Sequence, residues 1–190
     1  MLCWSGSHDP LDPKGGVNLL DVVMGMGREG RFGRFGNNEW TVLHHSFFVF
    51  LIYIKLFGRV GSEYAALHDA HEAYHGDIPA PVKRYLRDRS EGSDALADVE
   101  HEYDAAIARF LEISMVGESG TDRWFAARIK VCDRVALVIE ARLFGPPGSS
   151  CWSDIPDENK PEVRNMVFAV MPDFERVCAA RGVAPFPEEA

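Results

Sequence analysis

The chain has 190 residues, of which 46% are hydrophobic, so its length and composition suit one domain with a sizeable core. Its formal net charge of −9 argues against a protein that binds the phosphate backbone of DNA or RNA, because such binding depends on clustered lysines and arginines. Small anionic substrates stay compatible with this charge, since a bound divalent cation reverses its sign locally.

The four cysteines are scattered singly, which favours reduced thiols and a cytoplasmic location. Residues 1–16 contain prolines and glycines and have no apolar centre of the kind found in signal peptides, so they are predicted to form an irregular arm. The apolar run Phe47–Phe57 is too short to span a membrane and contains Lys55. We therefore expect no membrane anchor.

Along most of the chain, apolar residues at spacings of three and four predict helices, and glycines and prolines separate them. A short apolar segment over 17–26 and a glycine-rich loop over 27–38 come first. Helices are then predicted over 40–57, 63–75, 81–89, 94–113, 122–144 and 161–180. With no alternating strand pattern and no repeat, residues 1–190 are predicted to form one all-α domain that ends in a loop and helix over 145–190.

The sequence LHDAHEAYHGDIP, which begins at residue 67, satisfies two metal motifs at once. In a zinc peptidase, His71 and His75 would bind the ion and Glu72 would act as the general base. Glu100 or His101 would then be the third ligand. At about 100° of rotation per residue, a helix permits this motif and also the alternative below, so spacing alone does not decide.

The doublet His68-Asp69 predicts a different site if another histidine and a distant aspartate come from separate helices. His45 lies on the preceding helix, and Asp133 lies within the run IKVCDRVAL. An aspartate in such a run is expected to face the core, where an unpaired carboxylate is costly and a cation would neutralise it. A salt bridge or solvent exposure for Asp133, and a hydrogen-bonded core position for His45, are the alternatives. Two imidazoles with two carboxylates suit Zn, Mn, Co or Mg.

At these residues the chain resembles the HD-domain phosphohydrolase superfamily, whose metal motif is H…HD…D. The matching stretches are Trp40–Ser46, Ala66–Lys83 and Lys130–Arg134. Within the superfamily the chain is similar to the branch of bacterial 5′-deoxynucleotidases and phage dATP triphosphohydrolases. The resemblance implies a compact helical bundle that binds Zn, Co or Mn, with Mg as a second ion.

The same resemblance implies a role for each residue of the site. The metal ligands would be His45, His68, Asp69 and Asp133. Glu72 would activate or position the attacking water, and Asp77 would assist beside the leaving group or the sugar hydroxyl.

Substrate contacts are expected on either side of this motif. Lys83 follows the Asp77 turn and is placed to offset phosphate charge, unless it is an ordinary surface lysine. By the resemblance, the segment before His45 completes the nucleoside site, with Arg31 and Arg34 for phosphate and Trp40 for the base. Packing of the loop aromatics on the helices is the alternative.

The chain also departs from the family. His44 stands where a Glu or Gln usually precedes the ligand histidine, and His71 and His75 are additional. His44 could perturb the site or compete for metal, whereas His71 and His75 are expected to pack or to support the ligands.

The implied reaction is cleavage of the 5′ phosphoester of a deoxynucleotide, preferentially dATP to deoxyadenosine and triphosphate, with dADP and dAMP as further substrates. A general 5′-deoxynucleotidase that acts on monophosphates is the alternative, and a non-catalytic nucleotide-binding domain is another. The expected partners are the small-molecule nucleotide and further copies of the chain in a dimer or hexamer, without nucleic-acid polymer or membrane. The location would be the host cytoplasm if a phage encodes the protein.

Overall fold

The computed structural model describes residues 2–3, 6–7, 16–32, 39–90, 94–113, 120–144 and 165–170, and the single positions 172, 175, 176 and 179. The named helices in these ranges are α1 (Leu19–Met26), α2 (Val42–Phe57), α3 (Ser62–Leu67), α4 (Glu72–His75), α5 (Ala80–Arg89), α6 (Ala95–Phe110) and α7 (Gly120–Leu143). Residues 165–170 are helical as well. The prediction of an all-α protein is confirmed.

A minimal pair of strands lies near the N-terminus. Strand β1 (Leu2–Cys3) pairs antiparallel with β2 (Gly6–Ser7), and Leu2 lies opposite Ser7. The segment predicted to be an irregular arm therefore contains one ladder of two residues per strand. Such a ladder is too short to leave the alternation of apolar and polar residues by which strands are predicted.

The larger hydrophobic core lies between α2 and α7. Both helices present a stripe of apolar residues at helical spacing, as expected for helices that pack on one another. The buried residues of this stripe include Phe48, Val49, Ile52 and Tyr53 of α2 and Cys132, Val135, Ala136 and Ile139 of α7. His45 lies one turn before Val49 and is buried, and Glu140 follows Ile139 and is buried too. Core packing therefore brings polar side chains of both helices together.

A second core fixes α4 between α1 and α6. Val22 and Met26 of α1 pack with Tyr74, and the rings of Tyr74 and Tyr103 stack with their centroids 4.7 Å apart. A Cβ atom at Gly25 would lie 2.6 Å from the carbonyl oxygen of Ala73, so α1 approaches this part of the chain as closely as only glycine permits. The segment with the histidine motif is thus held from both sides.

The predicted helix over 63–75 is interrupted, and this prediction is wrong at residues 68–71. There the backbone forms a tight turn between α3 and α4. The amide of Ala70 donates to the carbonyl of Leu67 at 3.0 Å, and the amide of Glu72 donates to the carbonyl of Asp69 at 3.0 Å. These bonds span three residues rather than the four of an α-helix. With no glycine or proline inside the turn, the sequence gives no sign of the change.

The described part of the glycine-rich loop is anchored to the start of α2. Gly30 forms an isolated antiparallel bridge with Thr41, and the amide of Arg31 donates to the carbonyl of Trp40 at 3.1 Å. The amide of Val42 in turn donates to the carbonyl of Glu29 at 2.9 Å. Arg31 therefore projects from a backbone that is fixed beside His45.

The C-terminal helical residues close the larger core. Val167 and Val170 are buried in it, whereas Phe168 is 72% exposed. Val167 and Val170 therefore pack within the chain. Among the helices in the described ranges, none is both long and apolar enough to cross a bilayer.

Candidate metal centre

Four polar side chains from three parts of the fold meet at one point. Nε2 of His45 in α2 lies 3.2 Å from Oδ1 of Asp133 in α7 and 3.4 Å from Oδ2 of Asp69. Nε2 of His68 lies 3.3 Å from the same Asp69 oxygen. The structure therefore brings together all four residues for which the sequence predicts metal ligation, and His45, His68 and Asp69 form a cluster that could hold a metal ion.

The two imidazoles turn their lone pairs toward each other. Nδ1 of His45 lies 2.9 Å from both carboxylate oxygens of Glu140, and Nδ1 of His68 lies 2.9 Å from the carbonyl of Ala65. Both partners are acceptors, so each Nδ1 carries the proton that it donates, and each Nε2 is left with a lone pair. The two Nε2 atoms are only 3.3 Å apart. Two lone pairs at this distance repel, so without a metal ion His45 holds a second proton on Nε2, facing Asp133, in the place that a metal ion would take.

The spacing of the four ligand atoms suits a small divalent ion. Zinc binds histidine nitrogen and carboxylate oxygen at about 2.0–2.1 Å, and in a tetrahedral site such bonds separate the ligand atoms by about 3.3–3.4 Å. The four separations given above run from 3.2 to 3.4 Å. The residues present therefore fit a resident cation in both donor type and spacing.

Glu140, which was not among the predicted site residues, orients His45. Glu140 is completely buried in α7, seven residues beyond Asp133 and so on the same side of the helix. A carboxylate that accepts the other ring proton of a ligand histidine fixes the tautomer and raises the basicity of the ligand nitrogen. The signal used for Asp133, an acid inside an apolar run, is also present at Glu140.

The histidines and carboxylates of the cluster shift one another's pKa values because their opposite charges lie close together. Burial lowers the pKa of His45, but the carboxylates of Glu140 and Asp133 outweigh this effect and raise it to about 10. Burial raises the pKa of Asp69, yet His68, His45 and Arg31 hold it well below its ordinary value. The pKa of Asp133 is lowered in the same way, since its hydrogen bond to His45 outweighs burial. Both aspartates are therefore ionised and available as ligands at neutral pH.

The guanidinium group of Arg31 pairs with carboxylates and has little exposure to solvent. Its Nη1 lies 3.6 Å from Asp69 and 3.9 Å from Asp77, and its Nε lies 3.8 Å from Glu140. Burial lowers its pKa, but the charges of Glu140, Asp69 and Asp77 raise it above the ordinary value. The side chain is 10% exposed. The predicted contact with a substrate phosphate would have to compete with these three carboxylates.

Glu72, which is buried, and Asp77, which is partly buried, lie beside the cluster. Burial and the charges of Asp69 and Asp77 raise the pKa of Glu72 to about 9. Its Oε2 atom is buried and has no hydrogen-bond partner among the described residues. Burial also raises the pKa of Asp77, and Arg31 opposes the rise. The backbone amide of Asp77 donates to Glu29 at 3.4 Å.

The remaining predicted substrate contacts fare differently. Nζ of Lys83 lies 2.7 Å from Glu100 and 3.9 Å from Glu72, so its charge is already engaged beside the site. Arg34 lies outside the described residues. Trp40 is 0% exposed and stacks on His44 and Phe144, with ring centroids 5.1 and 4.6 Å away. The predicted contact of Trp40 with substrate is corrected to a packing role, because a ring without exposed surface cannot touch a ligand.

His44 caps a helix. The amide of Thr41 donates to Nδ1 of His44 at 3.2 Å, and the Thr41 hydroxyl lies 2.9 Å from the same nitrogen. This is the reciprocal arrangement at a helix N-terminus in which a Glu or Gln usually takes part. The residue that departs from the family pattern therefore stabilises the start of α2, which carries His45.

A cavity of about 390 Å³ opens onto the cluster at His68 and Asp133. The side chain of Asp133 is 39% exposed, in keeping with its position in the cavity wall. The other lining residues come from α3, α6 and α7 and from the chain beyond α6: Tyr64, Leu67, His101, Asp104, Ile107, Ala108, Ile113, Ala126, Ile129 and Lys130. A largely apolar wall with a few polar groups at this volume is typical of small-molecule sites.

Comparison with known proteins adds one relative of unassigned activity. The chain is 26% identical to the uncharacterized protein YfdR of Escherichia coli (strain K12) over 151 aligned residues. The alignment covers 78% of this chain and 74% of YfdR. No family model matches the chain. The likeness supplies a relative but no reaction.

Proposed function

We propose that the chain is a metal-dependent phosphohydrolase of the HD type, which cleaves the 5′ phosphoester of a deoxynucleotide. The observation that carries the proposal is the 3.3 Å approach of the two Nε2 atoms of His45 and His68, flanked by Asp69 and Asp133. This donor set suits Zn, Co or Mn, with Mg as a second ion. When bound, the cation would make water more acidic and would stabilise negative charge on a phosphoryl oxygen.

Glu72 is the proposed proton acceptor for the attacking water. It follows His68 by about one turn, it is buried, and its Oε2 atom is unpaired among the described residues. Burial and the charges of Asp69 and Asp77 raise its pKa, and a bound cation would offset those charges, so that Glu72 would be ionised and able to accept the proton. Asp77 has a raised pKa as well and is the proposed group beside the leaving oxygen or the sugar hydroxyl.

The cavity beside His68 and Asp133 is the proposed nucleoside site. Leu67, Ile107 and Ile129 offer it apolar surface, and the rings of Tyr64 and His101 can stack on a base. The phosphates would then lie at the cluster, and Lys83 would approach them only by leaving Glu100. The preference for dATP, with release of deoxyadenosine and triphosphate, rests on the resemblance of the sequence. A general 5′-deoxynucleotidase acting on monophosphates is the alternative.

The peptidase hypothesis is less well supported. His71, His75 and Glu100 do cluster closely enough to hold an ion, as a zinc peptidase would need. However, the cavity is bordered by His68 and Asp133, and neither His71 nor His75 is part of its lining. A substrate in this cavity would contact His68 and Asp133, and not His71 or His75.

Hydrolysis assays on the purified chain test the proposal. The chain is freed of metal with a chelator, supplied with Mn, Co, Zn or Mg in turn, and incubated with dATP, dAMP, ATP or AMP. We expect turnover of the deoxynucleotides, with dATP giving deoxyadenosine and intact triphosphate. Tight nucleotide binding without turnover under all four ions would overturn the proposal in favour of a non-catalytic nucleotide-binding domain.

A further inference from the structure

A second group of metal-binding side chains lies next to the first. His71, His75 and Glu100 each place one ligand atom within 4.8 Å of the others. His71 and His75 are one turn apart and stack with ring centroids at 5.2 Å, and Glu100 reaches them from α6. Asp69, His71 and Glu72 also cluster at this distance, so the two sites are neighbours.

The hydrogen bonds of both imidazoles leave the outer nitrogens free to bind an ion. Nδ1 of His71 lies 2.9 Å from Oδ1 of Asp104, and Nδ1 of His75 lies 2.9 Å from the carbonyl of Gly76. Since both partners are acceptors, each Nδ1 is the protonated nitrogen and each Nε2 carries a lone pair. Moreover, Nε2 of His75 is buried and has no hydrogen-bond partner among the described residues. A buried acceptor without a donor is destabilising, and a cation would satisfy it.

The pair formed by His71 and Asp104 has the arrangement found around bound zinc. A ligand histidine almost always donates its other ring proton to a carboxylate or carbonyl, which fixes the ring and strengthens the metal bond. Asp104 does this for His71, and Gly76 does it for His75. Glu100 would supply an oxygen ligand, and its side chain is 21% exposed, which leaves a route for an ion to enter.

Lys83 is a competing cation at this place. Its ammonium lies 2.7 Å from Oε1 of Glu100, the oxygen that a metal would need. The Lys83 side chain is 32% exposed and can swing into solvent without breaking the core. Displacement of Lys83 from Glu100 would therefore accompany metal binding, and the affinity of the site depends on that exchange.

We propose that Nε2 of His71, Nε2 of His75 and the carboxylate of Glu100 form a second site for a divalent cation of the zinc or cobalt class. Two imidazoles and one carboxylate are a donor set that zinc commonly takes, and a fourth position stays open for water. This site is separate from the His45 centre and does not depend on the proposed hydrolysis.

Metal titration of the full chain tests the second site. The metal-free protein is titrated with Zn²⁺ or Co²⁺ alone and followed by calorimetry and by the metal retained after gel filtration. We expect two ions per chain for the wild type. We also expect a loss of at least about 100-fold in affinity for one of them in His75→Gln, because that variant removes a ligand. In His68→Asn, which removes a ligand of the other centre, the second site should persist. One ion per chain in the wild type, unchanged in His75→Gln, overturns the proposal.

Lys83→Met gives a test that a folding defect cannot imitate. Removing the competing ammonium should tighten one of the two sites about fivefold, the effect of a weak ion pair of about 1 kcal/mol. Asp104→Asn should weaken the same site about 10-fold or more, since it removes the partner of His71. If Lys83→Met leaves both affinities unchanged, Glu100 is not a ligand and the proposal fails, whether or not His75→Gln folds.

Discussion

The two histidine clusters draw on the same short turn but differ in how they are held. The His45 centre draws its candidate ligands from α2, the turn after α3, and α7, and its supporting carboxylate, Glu140, is completely buried. The His71 cluster takes two of its three ligands from one turn, and its supporting carboxylate, Asp104, is 40% exposed. The core holds the side chains of the His45 centre in place before an ion binds, whereas the His71 cluster must first displace the ammonium of Lys83 from Glu100. We therefore expect the His45 centre to bind metal more tightly.

The largest expected effect is at Asp133. Asp133→Asn keeps the shape of the side chain and removes its charge, so the ligand set of the His45 centre is incomplete. We expect loss of that ion and a fall in deoxynucleotide hydrolysis of about three orders of magnitude, the scale on which metal-ion catalysis acts. Hydrolysis and metal content are measured together.

Asp88→Asn on α5 is the matched control for this change, because Asp88 is exposed and lies outside both clusters. It should leave hydrolysis and metal content at the wild-type values. Full activity of Asp133→Asn would show that Asp133 is not needed for hydrolysis and is not a metal ligand.

Glu140→Gln should weaken the same centre without removing a ligand. The amide keeps the size of the carboxylate but no longer favours the His45 tautomer by charge, and such losses cost about 10- to 100-fold in metal affinity. Calorimetric titration measures the change, with the exposed Glu102→Gln as its control. An unchanged affinity would mean that packing alone orients His45.

Removal of metal should lower stability mainly through the His45 centre, because this centre joins the two helices that form the larger core. A ligand at about 100 times its dissociation constant stabilises a fold by about 2.7 kcal/mol, which is about 5–10 °C in a chain of this size. Thermal unfolding with and without chelator measures this shift.

His75→Gln should keep most of the response to chelator, and His68→Asn should lose most of it. The opposite pattern would place the stabilising ion in the His71 cluster instead of the His45 centre.

The smallest effect on catalysis is expected at Trp40. Trp40→Phe should cost roughly 1–3 kcal/mol of stability, less than the truncation of a buried aromatic residue to alanine. KM for the nucleotide should not change, because the ring has no exposed surface. Urea unfolding and steady-state kinetics measure the two quantities. A raised KM at unchanged stability would restore Trp40 as a substrate contact.

Helices were predictable because their apolar spacing is local. The predicted helix over 40–57 begins at Val42 and ends at Phe57, and the one over 81–89 differs by one residue at its start. The turn at 68–71 was not predictable, since its residues have ordinary helical propensity and only packing of α4 against α1 and α6 imposes the tighter bonds.

Within the candidate site, the four predicted ligands carry two signals in the sequence: a recognisable His-Asp doublet and an acid in an apolar run. Glu140 is also an acid in an apolar run, but it has no recognisable motif beside it, so it was not predicted. The role of Arg31 could not be predicted, because its partners Asp69, Asp77 and Glu140 are distant in sequence. The prediction that His44 could perturb the site or compete for metal rested on its position next to His45. In the structure its side chain bonds to Thr41 and caps α2.

The tight turn between α3 and α4 also determines where its histidines and carboxylates lie along the chain. In a helix of three residues per turn, residues three apart are eclipsed, so they project along the same line. Four backbone bonds between residues three apart run from Leu67 to Tyr74, so the pair His68-Asp69 is followed three residues later by the pair His71-Glu72. Inserting or deleting a single residue here would rotate the residues that follow by about 120°, and the eight residues from His68 to His75 could no longer face both candidate sites.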